Sequence, residues 1–258
     1  MSLNNREVIY NGTNIQDISN LTITEVMSYN PPTKNLDRAV IANADKSAVS
    51  ADFYVDKRIV IKGYIAEANK ALLEERLSQL YELLDYREAI LSVEQANKTL
   101  EYTATVETVE LSDTAGGYSG FQIDFFCSDP FGYSPVSTTI LDVASLTNNN
   151  QSYVVTTEGT TTQLPYVTLT IDSIAGGNTS LYLSNLTRGE TMEIVRSWEV
   201  GDILIIDSEN GTVTVNGTEV EYIGKIFTLN KGSNSISYDD DFTSRSIDLI
   251  IDYRKRWI

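Results

Sequence analysis

FQIDFFCSDPFGYSP, residues 121–135, sets a strand and its abrupt end side by side. Residues 121–127 are aromatic and β-branched, too few and too poor in helix formers for a helix, so they form a strand. Their apolar side chains run almost without interruption, which predicts that both faces are covered. At Asp129-Pro130 the proline fixes φ, removes a ladder donor and keeps the residue before it out of the α region, so the strand stops. Phe131 and Tyr133 flank Gly132, and Pro135 bars regular pairing again. A buried strand with such an exit is either the seam between two domains or an ordinary strand-to-loop transition inside one.

Upstream, residues 113–120, DTAGGYSG, form the turn into this strand. They fail as a nucleotide loop, because no Gly-Lys-Ser/Thr follows and a strand comes next instead of a helix. Before them Leu100, Tyr102, Ala104 and Val106 alternate along a strand. Val109 and Leu111 are out of phase, which predicts a bulge near Glu107-Thr108. Residues 90–93 are a strand, followed by a turn near Asn97-Lys98. One convincing helix stands further back, about 69–85. Asn69 caps it, and Leu73, Leu77, Leu80 and Leu84 recur at helical spacing, so it covers one side of a sheet. Phe53, Val55, Ile59 and Ile61 alternate in a strand that ends at Gly63. Between Ser28 and Ser50 the pattern dissolves into Pro31-Pro32, Asn35 and Asp37. This predicts a long loop, either an extension gripping a neighbour or plain disorder. Residues 7–10 and 14–18 flank Asn11-Gly12, a hairpin pair, and Leu21 and Ile23 begin another strand.

Downstream, a strand at 140–145 and a polar stretch rich in Asn and Thr, 147–162, lead into strand after strand. These are 164–171, two within 180–194 around a turn at 187–189, and 201–207. Next come 212–215 between two Asn-Gly pairs, 225–229, 236–238, and the closing SIDLIIDYRKRWI at 246–258. Short antiparallel strands with hairpin turns predict a β-sandwich of jelly-roll type.

Composition agrees with a mostly-β chain long enough for two ordinary cores. The net charge of the 258 residues is −17. Residues 1–133 hold 11 basic and 20 acidic side chains and residues 134–258 hold 8 and 16, so both parts are acidic. Neither part suits phosphate backbones or an anionic membrane surface, where cations must supply the affinity. The lone cysteine, Cys127, excludes an intramolecular disulfide and reads as a small core residue. The absence of histidine removes Ser-His, Cys-His and His-metal schemes. With no apolar run of signal-peptide or membrane length, a soluble protein made in the cytoplasm is expected.

The segment FFCSDPFGYS resembles the end of the N-terminal domain in the siphophage distal tail protein family. The later order P-x-V-x-L-x-I, S-L-x-L-x-N-L-T-x-G-E, G-D-x-L-x-I-D-x-x-N-G-x-V-x-x-N-G, F-x-L-x-K-G-x-N-x-I and a strand ending in Trp is similar to that family's C-terminal domain. The resemblance implies an N-terminal β-sheet domain with one helix, 1–133, and a galectin-like β-sandwich, 134–258. It implies a structural role, with no enzymatic activity, cofactor or metal. The implied assembly is a homo-hexameric ring at the virion tail tip through which DNA passes. It would join the tail tube protein to the baseplate hub and receptor-binding proteins.

Several residues are candidates for contacts. Pro31, Pro32, Asn35, Asp37 and Arg38 are expected at the subunit interface, together with the edges of the N-terminal sheets, since ring closure satisfies open edges. Tyr182, Trp198 and Trp257 are candidates for stacking on host cell-wall carbohydrate, against the ordinary reading of strand aromatics as core. A carbohydrate-binding sandwich is thus the alternative function. The run Asp239-Asp240-Asp241 lacks calcium-loop spacing and reads as a solvated hairpin loop. Asp207-Ser208-Glu209-Asn210-Gly211 reads as a turn. Asp202 and Asp207 are the carboxylates that a glycosidase would need, and nothing in their spacing singles them out.

Overall fold

The computed structural model describes residues 7–28, 31–40, 47–95, 97–112, 116–177 and 179–258; over 37–40 and 47–52 it describes the backbone alone. It divides into two compact units, Met1–Pro135 with Ile258, and Val136–Trp257.

In the first unit β1 (Val8–Tyr10) and β2 (Thr13–Asn14) form the expected hairpin. Asn11 and Gly12 both take positive φ, 49° and 77°, as a tight primed turn requires. The strand expected over 14–18 is instead a 3-10 turn, Ile15–Asp17. Asn14 Oδ1 accepts the Gln16 N–H at 2.9 Å, and this local bond replaces a ladder bond. Then follow β3 (Leu21–Met27), β4 (Lys34–Val40), β5 (Ser47–Tyr54) and β6 (Lys57–Ala66), the helix α1 (Lys70–Leu84), and β7 (Ala89–Gln95), β8 (Lys98–Leu111) and β9 (Tyr118–Cys127). The sheet runs β3-β6-β9-β8-β7-β1-β2. Asn69 caps α1 by accepting the Leu72 N–H at 3.0 Å, and Leu73, Leu77, Leu80 and Leu84 are its buried face, lying over β6 and β9. The register of β8 against β9 slips between Val106 and Thr108, the bulge foreseen there.

Two further expectations fail in this unit. Strand β9 alternates instead of being covered on both sides. Phe121, Ile123, Phe125 and Cys127 are buried, while Phe126 is 37% exposed. Antiparallel pairing with β6 and β8, with the helix on one face only, leaves the other face open. The long loop foreseen after Ser28 is in fact largely a hairpin, β4 against β5. Its polar residues hid the alternation. Residues 41–46, at its tip, lie outside the described residues, as do 113–115 of the turn before β9.

Strand β10 (Gly132–Leu146) begins in the first unit and continues into the second. It runs through Pro135. Its ladder with β8 is confined to Tyr133 opposite Glu101, so the proline removes no rung there.

The second unit adds β11 (Gln151–Thr157), β12 (Pro165–Ala175), β13 (Ser180–Asn185), β14 (Glu190–Val195), β15 (Ile203–Asp207), β16 (Thr212–Val215), β17 (Thr218–Glu219), β18 (Ile223–Gly224), β19 (Gly232–Asp240) and β20 (Ser244–Trp257). They form two sheets, β17-β16-β15-β12-β20-β10 and β11-β19-β13-β14-β18. Inward side chains of both, among them Val167, Leu169, Leu183, Ile206, Ile236 and Leu249, share one core, which makes a sandwich. The polar stretch before residue 162 contains β11, an edge strand unforeseen because its residues are mostly polar. The strand foreseen at 225–229 is irregular backbone instead. Lys225 donates to Thr191 O, Thr228 to a Glu190 carboxylate and Leu229 to Gln163 O, so no single neighbour supplies a ladder. Phe227 and Leu229 are nevertheless fully buried.

Candidate functional site

The Asp129-Pro130 turn is held by one carboxylate. Asp129 Oδ1 accepts the Phe131 N–H at 3.0 Å, and Oδ2 accepts the Tyr133 hydroxyl at 2.7 Å. Gly132 between them has no room for a side chain, since a Cβ there would lie 2.6 Å from Tyr102 Oη and 2.7 Å from Cζ. The turn also anchors the β4–β5 hairpin. The Phe131 ring meets Tyr54 edge-on at 5.6 Å, and Lys34 Nζ lies 5.5 Å from the centre of the Tyr54 ring. Thr33 N donates to Asp56 O at 2.8 Å and Val55 N to Thr33 O at 2.9 Å, closing the hairpin base.

Beyond that base, the described strands of the hairpin pair with each other alone. They form a two-stranded ribbon, a form marginally stable by itself in water. Phe53 is 50% exposed, with Leu36 and Val55 also turned outward. Of the interface candidates, Pro31 and Asn35 are exposed. Pro32 is buried in its own chain, which removes it from the surface. The side chains of Asp37 and Arg38 lie outside the described residues. Sequence reasoning missed these surface groups, because Phe53 and Val55 alternate with Ile59 and Ile61 as core residues do and Leu36 stands among polar residues.

Behind the turn, Lys57 and Cys127 face each other in register on β6 and β9. Lys57 is 1% exposed, and its Nζ lies 5.2 Å from the centre of the Tyr102 ring. Burial holds the Lys57 ammonium below its ordinary value, countered by Cys127. Burial pushes the Cys127 thiol up to about 12, with Lys57 pulling down and Asp129 adding to the rise. Such a thiol is protonated and inert, which suits a core residue.

In the second unit the three stacking candidates are not brought together. Trp198 is 3% exposed and belongs to the core, with the Arg196 guanidinium 5.2 Å from its ring centre, so it offers no face to a sugar. Tyr182 on β13 is half-buried, and its hydroxyl donates to Glu193 Oε1 at 2.7 Å. Trp257 is half-buried at the end of β20, in the other sheet.

The triple aspartate is not a solvated loop. Asp240 is buried at the end of β19, where it pairs with Arg245 Nε at 2.7 Å and accepts the Tyr238 hydroxyl. Burial and the adjacent Asp240 carboxylate drive the Tyr238 phenol far up. Asp241 accepts the backbone N–H groups of Thr179 and Ser180 at 2.9 and 3.1 Å. One cation thus pairs with Asp240, and backbone amides hold Asp241 in place. Asp202 is buried too and accepts from Asn216 Nδ2 at 2.7 Å and Glu199 N at 3.0 Å. Asp207 accepts from the Glu209 and Asn210 amides, both at 3.0 Å. Each of these two carboxylates is committed to a turn. Among the described residues no group of three or more Cys, Asp or Glu stands close enough to hold a metal, and no helix is long and apolar enough to cross a membrane.

Residues 158–257 match the family model of the siphovirus-type tail component, C-terminal domain. A curated relative, the distal tail protein of Bacillus phage SPP1, is 22% identical over 220 residues, 83% of this chain and 81% of that protein. The chain is thus similar to siphophage distal tail proteins, over its second unit by the family model and over most of its length by this relative. The crystal structure of SPP1 Dit, described as a paradigm of hub adsorption apparatus in phages infecting Gram-positive hosts, has the same fold. Its TM-score is 0.74 at 15% identity, over 98% of this chain and 100% of that one. A chain of the phage P2 baseplate in its activated conformation with Ca reaches a TM-score of 0.49 at 9% identity, over 96% of this chain and 98% of that one, too weak to bear on the fold.

The region matched by the family model spans β12 to β20. It therefore contains both the Asp240–Arg245 pair and the Asp202–Asn216 turn. These buried polar groups are scaffolding for the sandwich, because each has its partner within the same unit.

Proposed function

We propose that this chain is a structural component of a siphophage or prophage tail tip, made in the host cytoplasm. Copies of it would close into a hexameric ring joining the tail tube to the baseplate and receptor-binding proteins. It works by assembly, without catalysis. The observation that carries this reading is the similarity to a distal tail protein over most of both chains. The first unit supports it with a surface suited to self-association: a ribbon with exposed Leu36, Phe53 and Val55, which a neighbouring copy would cover. A large apolar side chain left in water forgoes about 1.5–3 kcal/mol that burial would return.

The charge fits as well. At −17 per copy, a ring repels the phosphates of DNA passing through it, so the genome slides instead of adhering. The reading requires a lumen lined by acidic and neutral side chains; a lysine- and arginine-lined channel would refute it.

Light scattering with negative-stain imaging of the same fraction tests the ring. The expected result is hexamers, or stacks of them, with a central hole. Deleting residues 33–48 is expected to give soluble monomer with both units folded. Rings that persist after the deletion would remove the hairpin from the interface.

A further inference from the structure

The first unit has a polar recess of about 340 Å³ where β1 meets β7, and beside it a niche of about 50 Å³ shares two of its walls, Glu7 and Glu94. Val8 stands opposite Val93, which carries Glu7 to the position facing Glu94, and Glu94 in turn pairs with Thr99 of β8. Two carboxylates therefore sit side by side across one rung, where like charges destabilise a sheet. Asn14 Nδ2 donates to Glu7 Oε1 at 3.1 Å and fixes that carboxylate at the rim, and Gln16 lines the mouth.

The niche holds a polar group that the fold itself does not use. Ser92 lines it and is nine-tenths buried. It stands two residues before Glu94 and so on the same face of β7. Among the described residues its hydroxyl has no hydrogen-bond partner, whereas buried hydroxyls are ordinarily paired. Thr99 adds a second hydroxyl to the wall.

We infer that this recess is a site for a divalent cation, calcium in the first place. Its polar walls are carboxylates, side-chain amides and hydroxyls, a set of oxygen donors that suits a hard ion over a soft one. Two carboxylates balance a doubly charged ion, and the ion removes the repulsion across their rung. Glu7 and Glu94 are the anionic ligands. Gln16 Oε1 and the Ser92 and Thr99 hydroxyls are the neutral ones, and water completes a shell of ~6–8 oxygens. Donors of such unequal reach suit the flexible shell of calcium better than the rigid octahedron of magnesium. A count of acids alone passes over the site, because only two of its ligands are charged. Every ligand lies in the first unit, so the site does not depend on closure of the ring.

The test is calorimetric titration of the full chain with calcium chloride, paired with thermal unfolding followed by far-UV circular dichroism and by tryptophan fluorescence. Binding is expected with a dissociation constant of about 0.1–1 mM, the range of open calcium modules. Calcium is expected to raise the dichroism transition by a few degrees. The tryptophan transition belongs to the second unit and is expected to stay in place. Glu94→Gln and Glu7→Gln are each expected to weaken binding about tenfold, and Ser92→Ala several-fold. Glu110→Gln, which changes an exposed acid elsewhere on β8, is expected to leave binding as it is. Without calcium, Glu94→Gln is expected to unfold no earlier than the parent, since it removes a repulsion, and this separates a lost ligand from a damaged fold. No binding at about 10 mM calcium, well above that range, would overturn the proposal. So would binding that survives both glutamine variants, the mark of ions spread loosely over an acidic surface, and so would a calcium shift confined to the tryptophan transition.

Discussion

The two units solve the same problem, covering β-sheets, in opposite ways. The second packs one sheet on another and ties its remaining polar groups inside. Asn185 Nδ2 donates to Thr228 O at 2.7 Å and to Asn234 Oδ1 at 3.1 Å, and Asp240 pairs with Arg245. The first covers its sheet with a single helix and leaves Phe53, Val55, Tyr81 and Tyr86 outside. A closed core needs no neighbour, whereas a half-covered sheet with a projecting ribbon gains from one. This difference is the reason the proposed ring is placed on the first unit.

Both tryptophans lie in the second unit, so their fluorescence reports on that unit alone, while far-UV circular dichroism reports on both. The largest expected effect tests its closure. Asp240→Ala leaves the Arg245 guanidinium buried without its carboxylate, and breaking such a pair costs about 3–5 kcal/mol. In urea the tryptophan transition is expected to move to lower denaturant, with the other transition unchanged. A tryptophan transition that stays in place would mean that the sandwich does not depend on this pair.

Gly132→Ala probes the first unit at the Asp129 turn. The added methyl would have to displace the Tyr102 ring, which sits in the core, and overpacking of this kind costs about 1–3 kcal/mol. Here the dichroism transition is expected to shift while the tryptophan signal does not. Equal shifts in both would show that the two units unfold as one and would break the comparison.

What the sequence disclosed follows the same division between local and distant causes. The helix was legible down to its cap, because Asn69 and the four leucines carry their own geometry within one element. The bulge near Thr108 and the Asn11-Gly12 turn were legible for the same reason. The β4–β5 ribbon was not, since polar residues interrupt the apolar pattern along both of its strands. Strand β11 was hidden likewise by its polar residues. Asp240 was misread because its partners are Arg245 and the Tyr238 hydroxyl, and a run of acids reveals nothing of what faces it. Trp198 was misread because an aromatic in a loop offers no period from which burial follows. The recess at Glu7 and Glu94 was beyond reach altogether, as residue 7 meets residues 92, 94 and 99 only through the sheet.

A last expected effect separates the units by pH. In the unfolded chain the Cys127 thiol ionises near its ordinary value of 9.0, whereas burial holds it protonated in the fold to about 12. Between those values the folded first unit keeps a proton that the unfolded chain has released, so stability falls as pH rises, by about 1.4 kcal/mol per pH unit at most. Lys57 works in the opposite direction. Its folded ammonium loses its proton earlier than the unfolded one, so its contribution rises with pH up to the ordinary lysine value of 10.5. Cys127→Ala removes the falling component and leaves the rising one. The variant is therefore expected to start less stable, through the small cavity it creates, and to lose less stability than the parent above pH 9.0. Parallel alkaline curves for parent and variant would mean that the thiol reaches solvent, and that this part of the first unit is as open as its ribbon.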